Sequence, residues 1–175
     1  MSTYKIDAAH SEITFKAKHL MITNVTGSFT QFEATIESEK EDFTDAKISF
    51  EANTASVNTN NTQRDEHLKS NDFFATEKYP VLKFVSTEFK KIDGNDYALT
   101  GNLTIKNTTQ PVTLNVEFLG LAKDPWGQTK AGFEATGKIN RTDFGLTWNA
   151  ALEAGGVLVS EDIKLNFNVQ FVKQA

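Results

Sequence analysis

The sequence predicts an all-β fold of about eight antiparallel strands with one short helix. Three observations carry this: apolar and polar residues alternate along most of the chain, clusters of turn-forming residues separate the alternating runs, and a single stretch has helical character. Successive strand side chains point to opposite faces of a sheet, so alternation means one dry face and one wet face.

The elements follow in order. In "SEITFKAKH", Ile13, Phe15, Ala17 and His19 share one parity, and Thr14, Lys16 and Lys18 share the other. "VTGSFTQFEATIE" continues the strand pattern, and "AKISFEA" places Ala46, Ile48, Phe50 and Ala52 together. Residues 60–70 read as a helix that Asn60 or Asn61 can cap, with Leu68 as its one large apolar residue. "VLKFVSTEFKKI" returns to strand. "YALTGNLTI" gives Tyr97, Leu99, Gly101, Leu103 and Ile105 on one face, and "VTLNVEFLG" gives Val112, Leu114, Val116 and Phe118. "GFEATGKI" contributes Phe133, Ala135, Gly137 and Ile139. The last run sets Ile163, Leu165, Phe167, Val169 and Phe171 against Lys164, Asn166, Asn168 and Gln170. "DGND" (93–96), "NTTQP" (107–111) and "DPWGQ" (124–128) are turn clusters.

Many antiparallel strands with one dry face must stack or close, and a sandwich and a barrel both satisfy this. The inward set mixes Ala17, Ala52, Gly101, Ala135 and Gly137 with phenylalanines. Small inner residues leave room for a ligand in a roomy barrel. They also fit a tapered, filled core, and spacing alone leaves both readings open.

A length of 175 residues fits a single domain, 1–175. The net charge of −5, with lysines dispersed among acids, gives no basic surface for nucleic acid. The lack of cysteine excludes disulfide scaffolds and thiolate metal sites. No apolar run approaches the roughly 18 residues of a membrane span, so no stable membrane insertion is expected. Met1-Ser2-Thr3 runs straight into "YKID", which reads as a cytoplasmic chain. A mature exported domain behind a new Met1 reads identically, so the periplasm is the alternative.

The polar candidates are few. His10 and His19 are nine apart, so an unbroken strand would face them to opposite sides. On a helix, Asp65 and His67 lie about 200° apart and do not grip one ion. Without cysteine, His-x-His or HExxH there is no metal pattern, and none is expected. Asp7, His10 and Ser11 invite a triad reading, but no nucleophile elbow accompanies them; backbone bonds at a strand turn explain Asp7 and Ser11 better. His19 follows Ile13, Phe15 and Ala17 onto the dry face. Arg141 shares parity with Phe133 and Ile139 and, as an inward cation, needs a partner, either Asp143 nearby in sequence or an anionic group of a ligand. Fourteen phenylalanines offer a large surface without polar tips, as suits a ligand with no hydrogen-bonding groups along its length.

Read together, these residues resemble the YceI-like family, the polyisoprenoid-binding domain of lipocalin-like shape, over nearly the whole chain. The resemblance rests on five runs in order: "YKIDAAHSEITFKAKHL", "VTGSFTQFEATI", "DEHLKSNDFFATEKYPVLKFVST", "LTGNLTIKNTTQPVTL" and "INRTDFGLTWN". Asn107 stands where the family often has Gly. The resemblance implies an extended antiparallel barrel with a long apolar tunnel for a polyisoprenoid or an isoprenoid quinone, held for sequestration, storage or transport. It brings no catalytic residues and no cofactor beyond the bound lipid, and it makes a homodimer plausible. Strands of about eleven residues, tilted about 40°, would give a barrel nearly 28 Å tall, close to the roughly 30 Å of a bilayer's hydrocarbon.

On this reading the ligand-binding candidates are Phe15, His19, Phe29, Phe32, Phe73, Phe74, Phe118, Phe133, Arg141, Phe144 and Phe167, with His19 and Arg141 at the head-group end. Phe73 and Phe74 enter the apolar interior, while Asp65 and His67 bond the helix to the barrel. The rival readings are an enzyme acting on an isoprenoid or quinone-like lipid with His19 as base, and a stress-response protein with a filled core.

Overall fold

The computed structural model describes residues 1–149 and 158–175. Among these residues the chain forms eleven β-segments and one α-helix. They are β1 (Ser2–Ile6), β2 (Glu12–His19), β3 (Thr23–Phe29), β4 (Phe32–Ser38), β5 (Lys47–Asn53), β6 (Val57–Asn58), α1 (Thr62–Lys69), β7 (Val81–Asp93), β8 (Asp96–Ile105), β9 (Thr108–Lys123), β10 (Thr129–Asn140) and β11 (Asp162–Lys173).

Eight of the strands, β1-β4-β5-β7-β8-β9-β10-β11, close into an antiparallel barrel, with Tyr4 opposite Lys173 and Ile6 opposite Phe171 at the closure. The other three extend the wall upward. β11 pairs with β1 at its C-terminal end and with β2 over Lys164–Asn168, and β2 carries β3 and β6. The sequence thus reads as eight staves, with β1/β2, β3/β4 and β5/β6 each interrupted once. Two of the breaks are short 3-10 turns, each started by a side-chain cap: Asp7 accepts from the Ala9 N–H and Asn53 from the Ala55 N–H.

The helix forms where expected. Asn61 caps it by accepting from the Arg64 N–H, and Ser70 ends it. One turn assignment needs correction: "NTTQP" is not a turn beyond its first residue. The chain reverses at Lys106-Asn107, and Pro111 lies within β9 opposite Asn102. A proline is tolerated there because β9 pairs with β10 only from Asn115 onward, so Pro111 has a strand on one side alone.

The alternating residues point inward as the sequence predicts. Tyr97, Leu99, Leu103, Ile105, Val112, Leu114 and Val116 are all buried. Outward positions carry charge, as in the Lys83–Glu51 and Lys138–Asp162 ion pairs. A bulge between Gly132 and Phe133 changes the register against β9 and leaves Leu119 exposed.

The two ends of the barrel differ. The lower end carries both termini and the turns at 94–95 and 124–128. Phe43, fully buried, fills it with its ring edge-on to Tyr4 at 5.1 Å and to Phe118 and Phe133 at 5.3 Å. Its segment is pinned in place. The Asp45 carboxylate accepts from the Ser38 hydroxyl at 2.5 Å and the Glu39 N–H at 2.8 Å, and the Tyr97 hydroxyl donates to the Asp42 carbonyl at 2.6 Å. The upper end carries the β2–β3 turn, α1, the β8–β9 turn and the segments on either side of 150–157.

Candidate functional site: an apolar lumen open at one end

The barrel encloses a cavity of about 390 Å³. That falls within the roughly 300–1,000 Å³ of small-molecule sites. The interior is therefore the roomy one of the two that spacing allowed. The cavity extends from Phe43 and Phe133 near the lower end to Lys18, His19 and Arg64, which are exposed at the upper end. Its wall is almost wholly hydrocarbon. Phe15, Phe50, Leu165, Phe167 and Val169 point inward yet are only half-buried, because they face open space rather than other side chains.

Glycine helps to keep that space open. Gly27 lies opposite Phe15 across the β2–β3 ladder, and a Cβ there would overlap the Phe15 ring. Gly101 does the same for the Phe84 ring. Each ring lies flat against the wall where a larger residue would push it into the lumen. Rings also meet one another along the cavity: Phe15 with Phe29 at 5.6 Å, Phe29 with Phe74 at 5.8 Å, and Phe50 with Phe167 at 6.4 Å.

The polar lining residues gather at the upper end, apart from Thr14, whose hydroxyl is engaged by the Asn166 carbonyl. Arg141 is buried at 3% exposure, and among the described residues its hydrogen bonds go to backbone: Nε to the Ser160 carbonyl at 2.8 Å, Nη1 to Leu146 at 2.6 Å and Trp148 at 2.9 Å, and Nη2 to Val159 at 3.3 Å. Burial pushes its guanidinium below the ordinary value, and the charge of Glu161 acts the other way. Asp143, one of the two partners the sequence offered, is not among these ligands; main-chain carbonyls take the guanidinium's hydrogen bonds. Arg141 thus ties 146–148 to 159–160 at the rim.

His67 lines the cavity beside it. Its Nε2 is 2.8 Å from the Asp72 Oδ2, and its ring stands edge-on to Trp148 at 4.6 Å and to Phe73 at 5.1 Å. The expected helix-to-barrel bond from His67 is therefore a bond within its own segment. Asp65 does brace the helix, accepting from the N–H and hydroxyl of Thr59, just past β6. Arg64 donates to Thr59 as well, through Nε at 2.8 Å and Nη2 at 2.7 Å.

Of the candidates read from sequence, Phe15, His19, Phe29, Phe73, Phe74, Phe133, Arg141 and Phe167 line the cavity. Phe32, Phe118 and Phe144 do not. Phe32 stacks behind Phe50, Phe118 packs against Phe43 and Phe133 at the sealed end, and Phe144 is buried in the 3-10 turn after β10. His19 is exposed at the rim rather than set in the dry interior, because β2 ends there. Sequence reasoning did not find His67, Arg64, Leu146 or Trp148 as wall residues. Trp148 stands in a segment without period, and only its place in the "INRTDFGLTWN" run marked it.

His10 and Asp7 do pair, at 2.8 Å, but Ser11 is elsewhere engaged: its hydroxyl oxygen accepts from the Gln170 N–H. Among the described residues no three His, Asp or Glu side chains converge as metal ligands, and no helix is long and apolar enough to cross a membrane.

Comparison with known proteins adds to this geometry. Residues 4–171 match the model of the YceI-like domain. The chain belongs to the YceI-like family. Within reach of this family assignment, the UPF0312 protein SERP2314 of Staphylococcus epidermidis is 40% identical over 172 residues, 98% of each chain. The solved Campylobacter jejuni YCEI protein is 36% identical over 90% of each chain, with a TM-score of 0.78. A polyisoprenoid binding domain from Saccharophagus degradans superposes with a TM-score of 0.70 over 98% of each chain; at 16% identity it shows a shared fold.

Proposed function

We propose that this YceI-like barrel binds a long apolar lipid, a polyisoprenoid or isoprenoid quinone, in its lumen and holds it for sequestration, storage or transport. The observation that carries the reading is the hydrocarbon-lined cavity, sealed at one end and polar only at the other. Such a site takes up a chain tail-first and leaves its head at the rim, near His19, Arg64 and His67. The Saccharophagus degradans neighbour, a polyisoprenoid binding domain of the same fold, supports the choice of ligand class.

The energetics fit this reading. A dozen buried methylenes at about 0.8 kcal/mol each contribute about 10 kcal/mol. Ordering the chain subtracts several, which leaves affinity in the micromolar to nanomolar range without any polar contact. Binding rather than turnover is the reading here, because the acid that pairs with a rim histidine, Asp72 on His67, is half exposed and does not line the cavity.

The experiment is an organic extract of the purified protein examined by mass spectrometry, with titration of a fluorescent polyprenyl probe into the empty protein. A stoichiometric isoprenoid in the extract and saturable probe uptake are expected. An empty extract together with no uptake would remove the proposal.

A further inference from the structure

The tip of the β2–β3 hairpin breaks the rules of its own turn. Leu20 and Met21 both have left-handed backbones, φ 56° and 62°, and the Ile22 N–H donates to the His19 carbonyl at 3.2 Å. The register pairs His19 with Thr23, so the loop has three residues, and its first two are the central residues of a β-turn, both at positive φ, positions that Asn and Gly ordinarily fill. At the lower end, the β7–β8 turn has one position at positive φ, 54°, and fills it with Gly94. Bulky residues are unfavourable in that region of backbone space, and here neither reaches the core in return. Leu20 is 39% exposed, Met21 48% and Ile22 78%, and no other exposed large hydrophobics are consecutive among the described residues. A local rule broken without a packing gain points to function.

Two further observations say what the tip meets. First, it is part of the rim: His19, Lys18 and Val25 of the same hairpin line the lumen, and the Leu20 N–H donates to the carbonyl of Leu158, another wall residue. Second, the hairpin is basic in an acidic protein. Residues 13–32 contain Lys16 and Lys18 and no Asp or Glu, although the chain carries a net charge of −5. Lys164 stands opposite Lys16 on β11 and adds to the same exposed surface. An apolar tip flanked by lysines matches an anionic bilayer, into whose head-group boundary it can insert while the lysines stay among phosphates.

We propose that the β2–β3 tip is a membrane-docking element. Leu20, Met21 and Ile22 enter an anionic bilayer and set the mouth of the lumen against it, so that an apolar guest passes between bilayer and barrel without crossing water. The purpose rests on the lumen being a lipid site; the docking itself does not.

The test uses the full chain and a variant, Leu20→Asn with Met21→Gly and Ile22→Ser, whose new residues suit the turn and therefore do not threaten folding. Flotation is measured with vesicles of phosphatidylcholine and phosphatidylglycerol in a 3:1 ratio. The wild type is expected to float, and the variant to bind at least tenfold less. Transfer of a fluorescent polyprenyl probe from those vesicles should slow by a similar factor, while uptake of the same probe from ethanol stays unchanged. Equal flotation of the two proteins, or none by the wild type, overturns the proposal. So does a variant that is monomeric where the vesicle-indifferent wild type is a dimer, for then the tip is covered by a second copy. If the wild type floats but takes up no probe by either route, the docking stands and the lumen reading falls.

Discussion

The lower end of the barrel is closed by aromatic packing, and its supporting groups are fixed to one another: Phe43 among three rings, Asp45 on two backbone N–H groups and a hydroxyl, and Tyr97 on the Asp42 carbonyl. The upper end gathers the polar groups, and there the rings of His67, Phe73 and Trp148 meet at the rim while a cavity remains beside them. Both ends belong to one continuous wall and draw on the same phenylalanine-rich composition. The difference lies in what meets the rings. At the bottom a loop folds a phenylalanine inward, whereas above it Gly27 and Gly101 let the Phe15 and Phe84 rings lie back against the wall. Stability is thus concentrated at one end of the fold and access at the other.

Three changes would break or sharpen this contrast. Phe43→Ala should cost about 3–5 kcal/mol, as large-to-small changes at fully buried aromatics do. Urea denaturation followed by tryptophan fluorescence measures it, and a loss under 1 kcal/mol would mean that the lower end is not the anchor described. Next, Arg141→Met should cost roughly 3 kcal/mol, since several carbonyls at the rim lose their shared donor. If that loss comes with unchanged probe affinity, Arg141 braces the rim without touching the guest's head. An affinity change larger than the stability change would place the guanidinium in contact with it.

The smallest effect concerns pH. The hydroxyl of Ser38, then the Glu39 N–H, hold the Asp45 carboxyl at about 2, below its ordinary 3.8. A carboxyl depressed on folding stabilises the native state above its unfolded value and loses that contribution as pH falls through the folded one. Asp45→Asn should therefore lower Tm at pH 6, and the gap from wild type should narrow as pH falls from 3.8 towards 2. A gap that stays constant across that window would show that ionisation of Asp45 does not hold the lower loop.

Much of the wall was legible because period two is unambiguous when one face is wet. Ile163 through Phe171 read inward, and all five alternate residues reach the lumen. The helix was equally plain, though the sequence allowed either Asn60 or Asn61 as its cap and the structure shows Asn61. Closure was less so, since an alternating strand serves a sandwich and a barrel alike, and the family resemblance rather than the period decided it. The functional rim was the least legible part. Arg141 was read as an inward cation in need of an anionic partner, Asp143 or a ligand group, but main-chain carbonyls have no sequence mark, so the ligands it has were invisible. Phe32, Phe118 and Phe144 show the converse: an inward or buried ring seals or supports as readily as it lines, and only the fold distinguishes these roles. The β2–β3 tip was overlooked for a different reason, as "HLMIT" simply continues an apolar run until the backbone turns left-handed beneath it.

The plug at Phe43 turns the bore into a blind well, and a blind well measures what is lowered into it. Any elongated guest no longer than its depth disappears up to its head, while a longer one must double back or leave its surplus outside the rim. Selection by length would then fall to one ring at the floor, and moving that floor would recalibrate the gauge.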